Sequence, residues 1–294
     1  MGLKLKPLNK KSPSFFYILP VILVLVVIVI FPLIYSLIAS FYDYDLRKET
    51  VNFIGLQNFI ELSHDERFLT SLLTTTKLIA LGISTQFLLG LMLALILYYH
   101  SSRLRNFLIV ILSIPPMISP LVVSYIGRLI FHPGASPINY ILEVFNLPHN
   151  ISWHASIQTS LITIFLIDSW QWTPFIMLLL FSGLIAIPEE YLESARIDGA
   201  TLLKEVKYIL LPLLKPTMIV AILFRSLDVI RMFDLVYGLT GGGPGTSSEV
   251  SSFYIYLTSF PYWRIGYGAA LSWIFMIIVS IIITIYLRYI IKTF

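Results

Sequence analysis

The sequence predicts an all-α polytopic membrane protein with six transmembrane helices. Three observations carry this. The 294 residues are 57% hydrophobic and only 12% charged, whereas an ordinary soluble domain carries roughly 25% charged residues. The apolar runs are continuous rather than alternating, which selects helices over a barrel. The lysines and arginines gather in alternate connections between those runs, as they do when a chain is threaded through a bilayer. There is no cysteine, so disulfides and thiolate metal sites are excluded. His64, His100, His132, His149 and His154 are scattered without ligand spacing, and no metal site is expected.

Residues 1–14 hold Lys4, Lys6, Lys10 and Lys11 and no acid, and form a basic N-terminus. The uncharged run from Phe15 to Ser40 is too long for the apolar core of a signal peptide, so it reads as a retained first span. Pro20 and Pro32 lie toward its ends, where a lost backbone bond costs least. Residues 41–71 are polar and mixed. A second span is expected at 72–98, and a short turn with Arg103 and Arg105 follows. The third span, 107–131, contains Pro115, Pro116 and Pro120; it must be broken or bent, and neighbours must satisfy the freed carbonyls. A fourth span is expected at 157–183, a fifth at 212–235 and a sixth at 267–287. The connection at 236–266 reads as a Gly- and aromatic-rich loop. The membrane domain is thus 15–294, with no evident span-sized internal repeat of the secondary-carrier kind.

With the N-terminus placed inside, the inside segments hold 12 of the 20 lysines and arginines and the outside segments 5; Arg128, Arg225 and Arg231 lie within spans. The bias puts both termini in the cytoplasm. It also puts the charged stretch 188–216 there and the 236–266 loop outside.

That stretch is the polar exception in an apolar chain. Pro188 suits a first helical position, and Glu189, Glu190 and Glu193 complement the helix dipole. Asp198-Gly199 reads as a helix stop, with Gly199 free to turn left-handed. A second helix is expected from Ala200-Thr201, with Leu202, Val206, Ile209 and Leu210 along the membrane surface. Leu211-Pro212 and Lys215-Pro216 then punctuate the start of the fifth span. Small residues at 194, 195, 199 and 200 allow close approach by a partner.

The order Glu193-Ser194-Ala195-Arg196-Ile197-Asp198-Gly199-Ala200, followed by Leu211-Pro212 and Pro216, resembles the cytoplasmic EAA loop of ABC-importer permeases. Ser194 stands where the family pattern has Ala, and is still small. Phe233-Asp234-Leu235-Val236-Tyr237, Leu239-Thr240-Gly241-Gly242-Gly243-Pro244-Gly245, Tyr254-Ile255-Tyr256 and Trp172-Thr173-Pro174-Phe175 resemble the carbohydrate-uptake branch of that family. The resemblance covers roughly the second half of the chain, while the first half agrees in topology. The short 132–156 loop lacks the large outer insertion of the maltose-type subunit.

The resemblance implies an ABC type I importer permease fold. It also implies that Glu193, Ser194, Ala195, Asp198, Gly199 and Ala200 form a coupling helix seated in a separate ATPase. The implied partners are a second permease subunit of a different chain, two ATPase subunits and an extracytoplasmic sugar-binding protein, all within membrane lipid. ATP and Mg would sit on the partner ATPase and no cofactor on this chain, which has no Walker motif. The glycine run 241–245 lacks the Gly-Lys-Ser/Thr ending and follows no predicted strand, so it reads as a tight turn. No catalytic constellation is present, and no nucleic-acid partner is expected.

Candidates for the translocation path are Gln86, Asp168, Trp170, Trp172, Arg225, Asp228 and Asp234. Aromatic faces with acids and amides beside them suit carbohydrate. Trp170 and Trp172 lie on nearly opposite helix faces, so at most one lines the path. Arg225, Asp228, Arg231 and Asp234 alternate in sign three residues apart and can pair along a helix. They read either as a polar wall of the path or as an ion-pair ladder against the partner permease. A charge at mid-membrane costs about 2.5–3.5 kcal/mol on insertion scales, so these groups should face protein or water. A proton-coupled secondary transporter of a small polar solute is the alternative reading.

Overall fold

The computed structural model describes residues 14–100, 102–134 and 136–293. The four lysines of the N-terminal segment fall outside them. Among the described residues, five helices are long and apolar enough to cross a membrane: Tyr17–Ala39, Glu66–Tyr99, Ser160–Ile185, Leu202–Ile230 and Ile265–Arg288. Between the second and the next of these, Arg103–Met117 and Pro120–Ile130 form one further candidate span bent by 96°. The bend falls where Pro115, Pro116 and Pro120 remove three backbone donors. The carbonyl of Ile118, freed at the break, accepts from Gln171 Nε2 at 2.8 Å. A neighbouring span therefore supplies the missing partner, as the absence of water in a bilayer demands.

The chain divides into two compact units. One comprises the described residues of 1–64 with 257–276. Its first span turns its apolar side chains outward along its length, as a lipid-facing helix does. After Ala39, a two-residue antiparallel ladder pairs Tyr42 with Phe53 and Asp43 with Asn52. The Asn58 amide donates to the carbonyls of Ser40 and Tyr42 at 2.8 and 3.0 Å. Gly266 lies so close to the Tyr42 carbonyl that any side chain there would collide with it. The Arg47 guanidinium holds the Asp45 carboxyl well below the ordinary carboxylate range, and Arg264 pairs with Glu61 at 2.7 Å.

The other unit comprises the described residues of 65–256 with 277–294. Its axis is the packing of Glu66–Tyr99 on Ser160–Ile185, the most extensive of any two elements. Gly90 and the fully buried Ala94 make this approach possible. A Cβ on Gly90 would sit 2.9 Å from Ile176, and small residues are what let membrane helices close on one another. The 34-residue helix Glu66–Tyr99 is about 51 Å long, well beyond a hydrocarbon core of about 30 Å. It therefore starts before residue 72, because hydropathy marks the membrane boundary and not the helix end. Asp65 caps it, accepting from the Phe68 N–H at 2.9 Å.

Three expectations are corrected here. The residues after Thr201 do not form a separate surface helix: Leu202–Ile230 runs into the fifth span without interruption. A π-helical turn, Val206–Leu210, precedes Pro212, with Leu211 N–H donating to Val206 O. The same device, Val26–Ile30, precedes Pro32 in the first span. The widened turn relieves the clash of a proline ring with the preceding carbonyls. Second, the fifth span ends at Ile230, not 235, so Arg231 and Asp234 are off the helix. Third, the 236–266 connection is not a plain loop, since Asp234–Leu239 and Ser251–Ser259 are helical. Gly241, Gly242 and Gly245 adopt positive φ between those helices.

Candidate functional site

Three spans meet at one buried polar cluster. Gln86 lies on Glu66–Tyr99, Asp168 on Ser160–Ile185 and Arg225 on Leu202–Ile230. Arg225 Nη2 donates to both carboxylate oxygens of Asp168. Its Nε donates to Gln86 Oε1 at 2.7 Å. Gln86 Nε2 donates in turn to Asp168 Oδ2 at 2.7 Å, which closes a triangle. The third donor, Nη1, is bonded to Asp228 one helical turn on. The Arg225 side chain is 1% exposed and that of Asp228 42%, so the cluster runs from a sealed interior to an open edge. The pairing offsets the cost of a charge at membrane depth.

The open edge is a cavity lined by Asp168, Gln171, Trp172, Arg225, Asp228, Arg231, Phe233 and Asp234, among others. Trp172 lies one turn after Asp168, and its ring is 5.0 Å from the Arg225 guanidinium carbon, within cation–π range. Gln171 faces the same cavity. Its amide nitrogen is engaged by Ile118, while its buried Oε1 accepts no hydrogen bond among the described residues. Acceptor oxygens, guanidinium donors and an aromatic face thus share one concave surface, the equipment for binding a polyhydroxylated ring.

Of the residues expected on the path, Gln86, Asp168, Arg225 and Asp228 are joined directly. Trp172 covers Arg225. Trp170 is not part of this group: it is 52% exposed and borders an apolar groove with Val123, Ile130 and Phe131. Asp234 lines the cavity, but among the described residues no ion pair joins it to Arg231. The continuous ladder of alternating charges is therefore reduced to the single pair Arg225–Asp228, because the helix stops at Ile230. The rest of the 233–256 connection is an aromatic cluster of Phe233, Tyr237, Phe253 and Tyr256. Beside it, Arg67 pairs with the buried Glu249 at 2.7 Å, a contact 182 residues apart that nothing local in the sequence announces.

The charged stretch builds a second feature. Its helix is Glu190–Ile197, with Glu189 as N-cap and Pro188 just before. Gly199 has φ +78°. Its N–H donates to Arg196 O and that of Ala200 to Ala195 O, at 3.1 and 2.9 Å, which is the Schellman pairing that a left-handed glycine permits. Glu193, Ser194, Asp198 and Gly199 are exposed, Ala195 and Ala200 partly so. Leu192, 1% exposed, is the peg that fixes the helix; it sits in the apolar core with Leu97, Leu184, Leu210 and Leu214. Beyond the turn, Glu205 is buried. Arg196 Nε donates to its Oε1 at 2.8 Å, and the Tyr99 hydroxyl donates to its Oε2 at 3.2 Å. The Glu205 carboxylate raises the Arg196 guanidinium above its ordinary pKa. Neither Arg196, Glu205 nor Tyr99 stood out in the sequence as a site residue. The one signal was a pair of opposite charges flanking a Gly turn.

Residues 86–293 match the family described as "Binding-protein-dependent transport system inner membrane component". The trehalose/maltose transport system permease protein MalF of Thermococcus litoralis is 32% identical over 280 residues, covering 94% of this chain and 92% of that one. The trehalose transport system permease protein SugA of Mycobacterium tuberculosis is 31% identical over 277 residues, covering 94% and 87%. Among solved structures, a chain of a bacterial ABC transporter for import of the acidic polysaccharide alginate superposes with a TM-score of 0.83 at 21% identity, covering 94% of both chains. That likeness shows the type I importer permease fold. The family match spans most of the chain, and the relatives align over nearly all of it. The chain belongs to the binding-protein-dependent transport system inner membrane component family, as a permease subunit of ABC importers and not an enzyme.

Proposed function

We propose that this chain forms half of the translocation path of an ATP-driven carbohydrate importer and couples it to a separate ATPase. The observation that carries the reading is the cavity at the Gln86–Asp168–Arg225 cluster. An aromatic face, Trp172, stands there beside hydrogen-bonding groups of both polarities. A pyranose ring offers an apolar face for the tryptophan and hydroxyls that donate and accept. Trehalose and maltose, which appear in the names of the two relatives, are the first substrates to try.

In this reading the chain has no chemistry of its own. An extracytoplasmic binding protein delivers the sugar to the outer connections. The second permease, a different chain, completes the cavity. Two ATPase subunits carry ATP and Mg, and the exposed residues Glu193, Ser194, Asp198 and Gly199 of the 190–199 segment, with Ala195 and Ala200 beside them, dock on one of them. Closure of the ATPases moves that segment and switches the cavity from inward to outward access. Both termini lie in the cytoplasm.

The test is reconstitution of the importer from its co-purifying subunits into liposomes, with the binding protein outside and ATP inside. Uptake of radiolabelled trehalose or maltose that requires both ATP and the binding protein supports the reading. Uptake by this chain alone, driven by a pH gradient and indifferent to ATP, would replace it with a proton-coupled carrier.

A further inference from the structure

The second and fifth spans are tied together twice. Near the 190–197 helix, Tyr99, the last residue of Glu66–Tyr99, donates to Glu205, at the start of Leu202–Ile230. Deep in the membrane, Gln86 of the same helix accepts from Arg225 of the same partner. At 1.5 Å per residue the two ties are about 20 Å apart along the second span and about 30 Å apart along the fifth. The first tie is also where the charged segment is fastened, because Arg196 grips the same Glu205 carboxylate.

We propose that Glu205 is the positioning residue for coupling, the node at which movement of the 190–197 helix is passed at once to the second and fifth spans and thence to the Gln86–Arg225 contact at the cavity. The proposal rests on reading the chain as an ATP-driven permease. The segment has two fastenings to the spans. Leu192 is an apolar peg, which resists separation but carries no direction of its own, since burial is proportional to area. The Arg196–Glu205 contact is directional and charge-assisted, with two donors of one guanidinium on the two oxygens of one carboxylate. Glu205 is 2% exposed while the Arg196 side chain is 48% exposed. The carboxylate therefore stays with the spans, and the arginine can travel with the segment. A buried carboxylate stripped of a partner is costly, so the network favours moving as a unit over breaking. Tyr99 makes the node three-way. Without it, a pull on Glu205 would reach the second span only through the non-directional packing of the two helices, and the Gln86–Arg225 contact would shear instead of moving.

The experiment uses the complete importer in liposomes, with trehalose and maltose as probes, and reads sugar molecules transported per ATP hydrolysed. Glu205→Gln keeps the size of the side chain and should lower that ratio about tenfold, a typical coupling energy between sites. Tyr99→Phe removes one hydroxyl and should lower it about threefold, the scale of one net hydrogen bond. Arg196→Glu alone should uncouple, and Arg196→Glu combined with Glu205→Lys should recover most of the loss, which a merely structural contact would not do at the level of the ratio. Co-purification of the ATPase at wild-type stoichiometry controls for assembly. Where Glu205→Gln fails to assemble, Tyr99→Phe decides. An unchanged ratio in an assembled Glu205→Gln or Tyr99→Phe importer overturns the node. If the wild-type importer itself shows no ATP-dependent uptake, the carbohydrate reading fails instead, so the two failures are distinguishable.

Discussion

Arg225 and Asp168, 57 residues apart in sequence, meet in the interior with side chains 1% and 5% exposed. Truncating the arginine leaves a carboxylate buried without its counter-ion. Arg225→Ala should therefore destabilise the protein by about 3–5 kcal/mol. Thermal unfolding in detergent measures this. Asp168→Leu combined with Arg225→Met should be closer to wild type than Arg225→Ala alone, because the buried carboxylate is removed with its counter-ion and only the neutral Gln86 amide loses its buried partners. A double variant worse than the single would show that the cluster does not act as a pair.

The two tryptophans of the fourth span separate the path from the apolar groove. Trp172→Ala removes the ring over Arg225 and should reduce sugar uptake about tenfold at low sugar concentration, equivalent to about 1.4 kcal/mol. Trp170→Ala, on the exposed side, should leave uptake within about twofold while assembly is maintained. Uptake assays on the reconstituted importer check both, and equal losses would contradict the division.

Gly199 tests the turn that ends the exposed helix. A side chain there would meet no atom within 4 Å, so any cost is conformational. Gly199→Val should destabilise the segment by about 1–2 kcal/mol, the penalty of a left-handed backbone for a residue with a Cβ, and Gly199→Asn should cost less because Asn tolerates that region. Limited proteolysis at 196–204 is the readout. Equal cleavage of the two variants would point to steric contact and away from strain. Gly238 is the contrasting case, since a Cβ there would overlap Ser124 and even Gly238→Ala should lower the melting temperature.

His154 sets a pH dependence outside the spans. Burial pushes its pKa below the ordinary 6.5, and nearby Arg128 and His132 push the same way, while the Phe131 carbonyl opposes them. The folded state thus binds the proton less readily than the unfolded state. The stability this contributes is present above pH 6.5 and declines as pH falls through that value toward the lower folded pKa. Melting temperatures between pH 7.5 and 5 should fall less in His154→Gln than in the parent, allowing for partial exposure of the ring. Parallel curves would remove His154 as the cause.

The break of the third span could be read directly from Pro115, Pro116 and Pro120, since each removes a donor wherever the helix lies. Gly199 could be read for the same reason: a turn is a local demand on one backbone. The length of the second helix could not, because its ends project beyond the bilayer, where hydropathy no longer distinguishes helix from loop. Nor could the end of the fifth span at Ile230, since Arg231 and Asp234 keep the spacing of that helix without belonging to it; Asp234 opens the next one.

By itself, then, the sequence determined the number of spans, their charge bias toward one side, the bend, the turn at Gly199 and the family pattern around it. These follow from transfer of short segments between water and lipid and from backbone constraints at Pro and Gly. Only the tertiary structure decided that Gln86, Asp168 and Arg225 close a triangle, that Trp172 and not Trp170 joins it, and that Glu205 is held by both Arg196 and Tyr99. In a lipid-facing helix every side is apolar, so no sequence period marks the face that meets a neighbour. That choice is made by the fit of small residues such as Gly90 and Ala94 and by the requirement that each buried polar group find a partner.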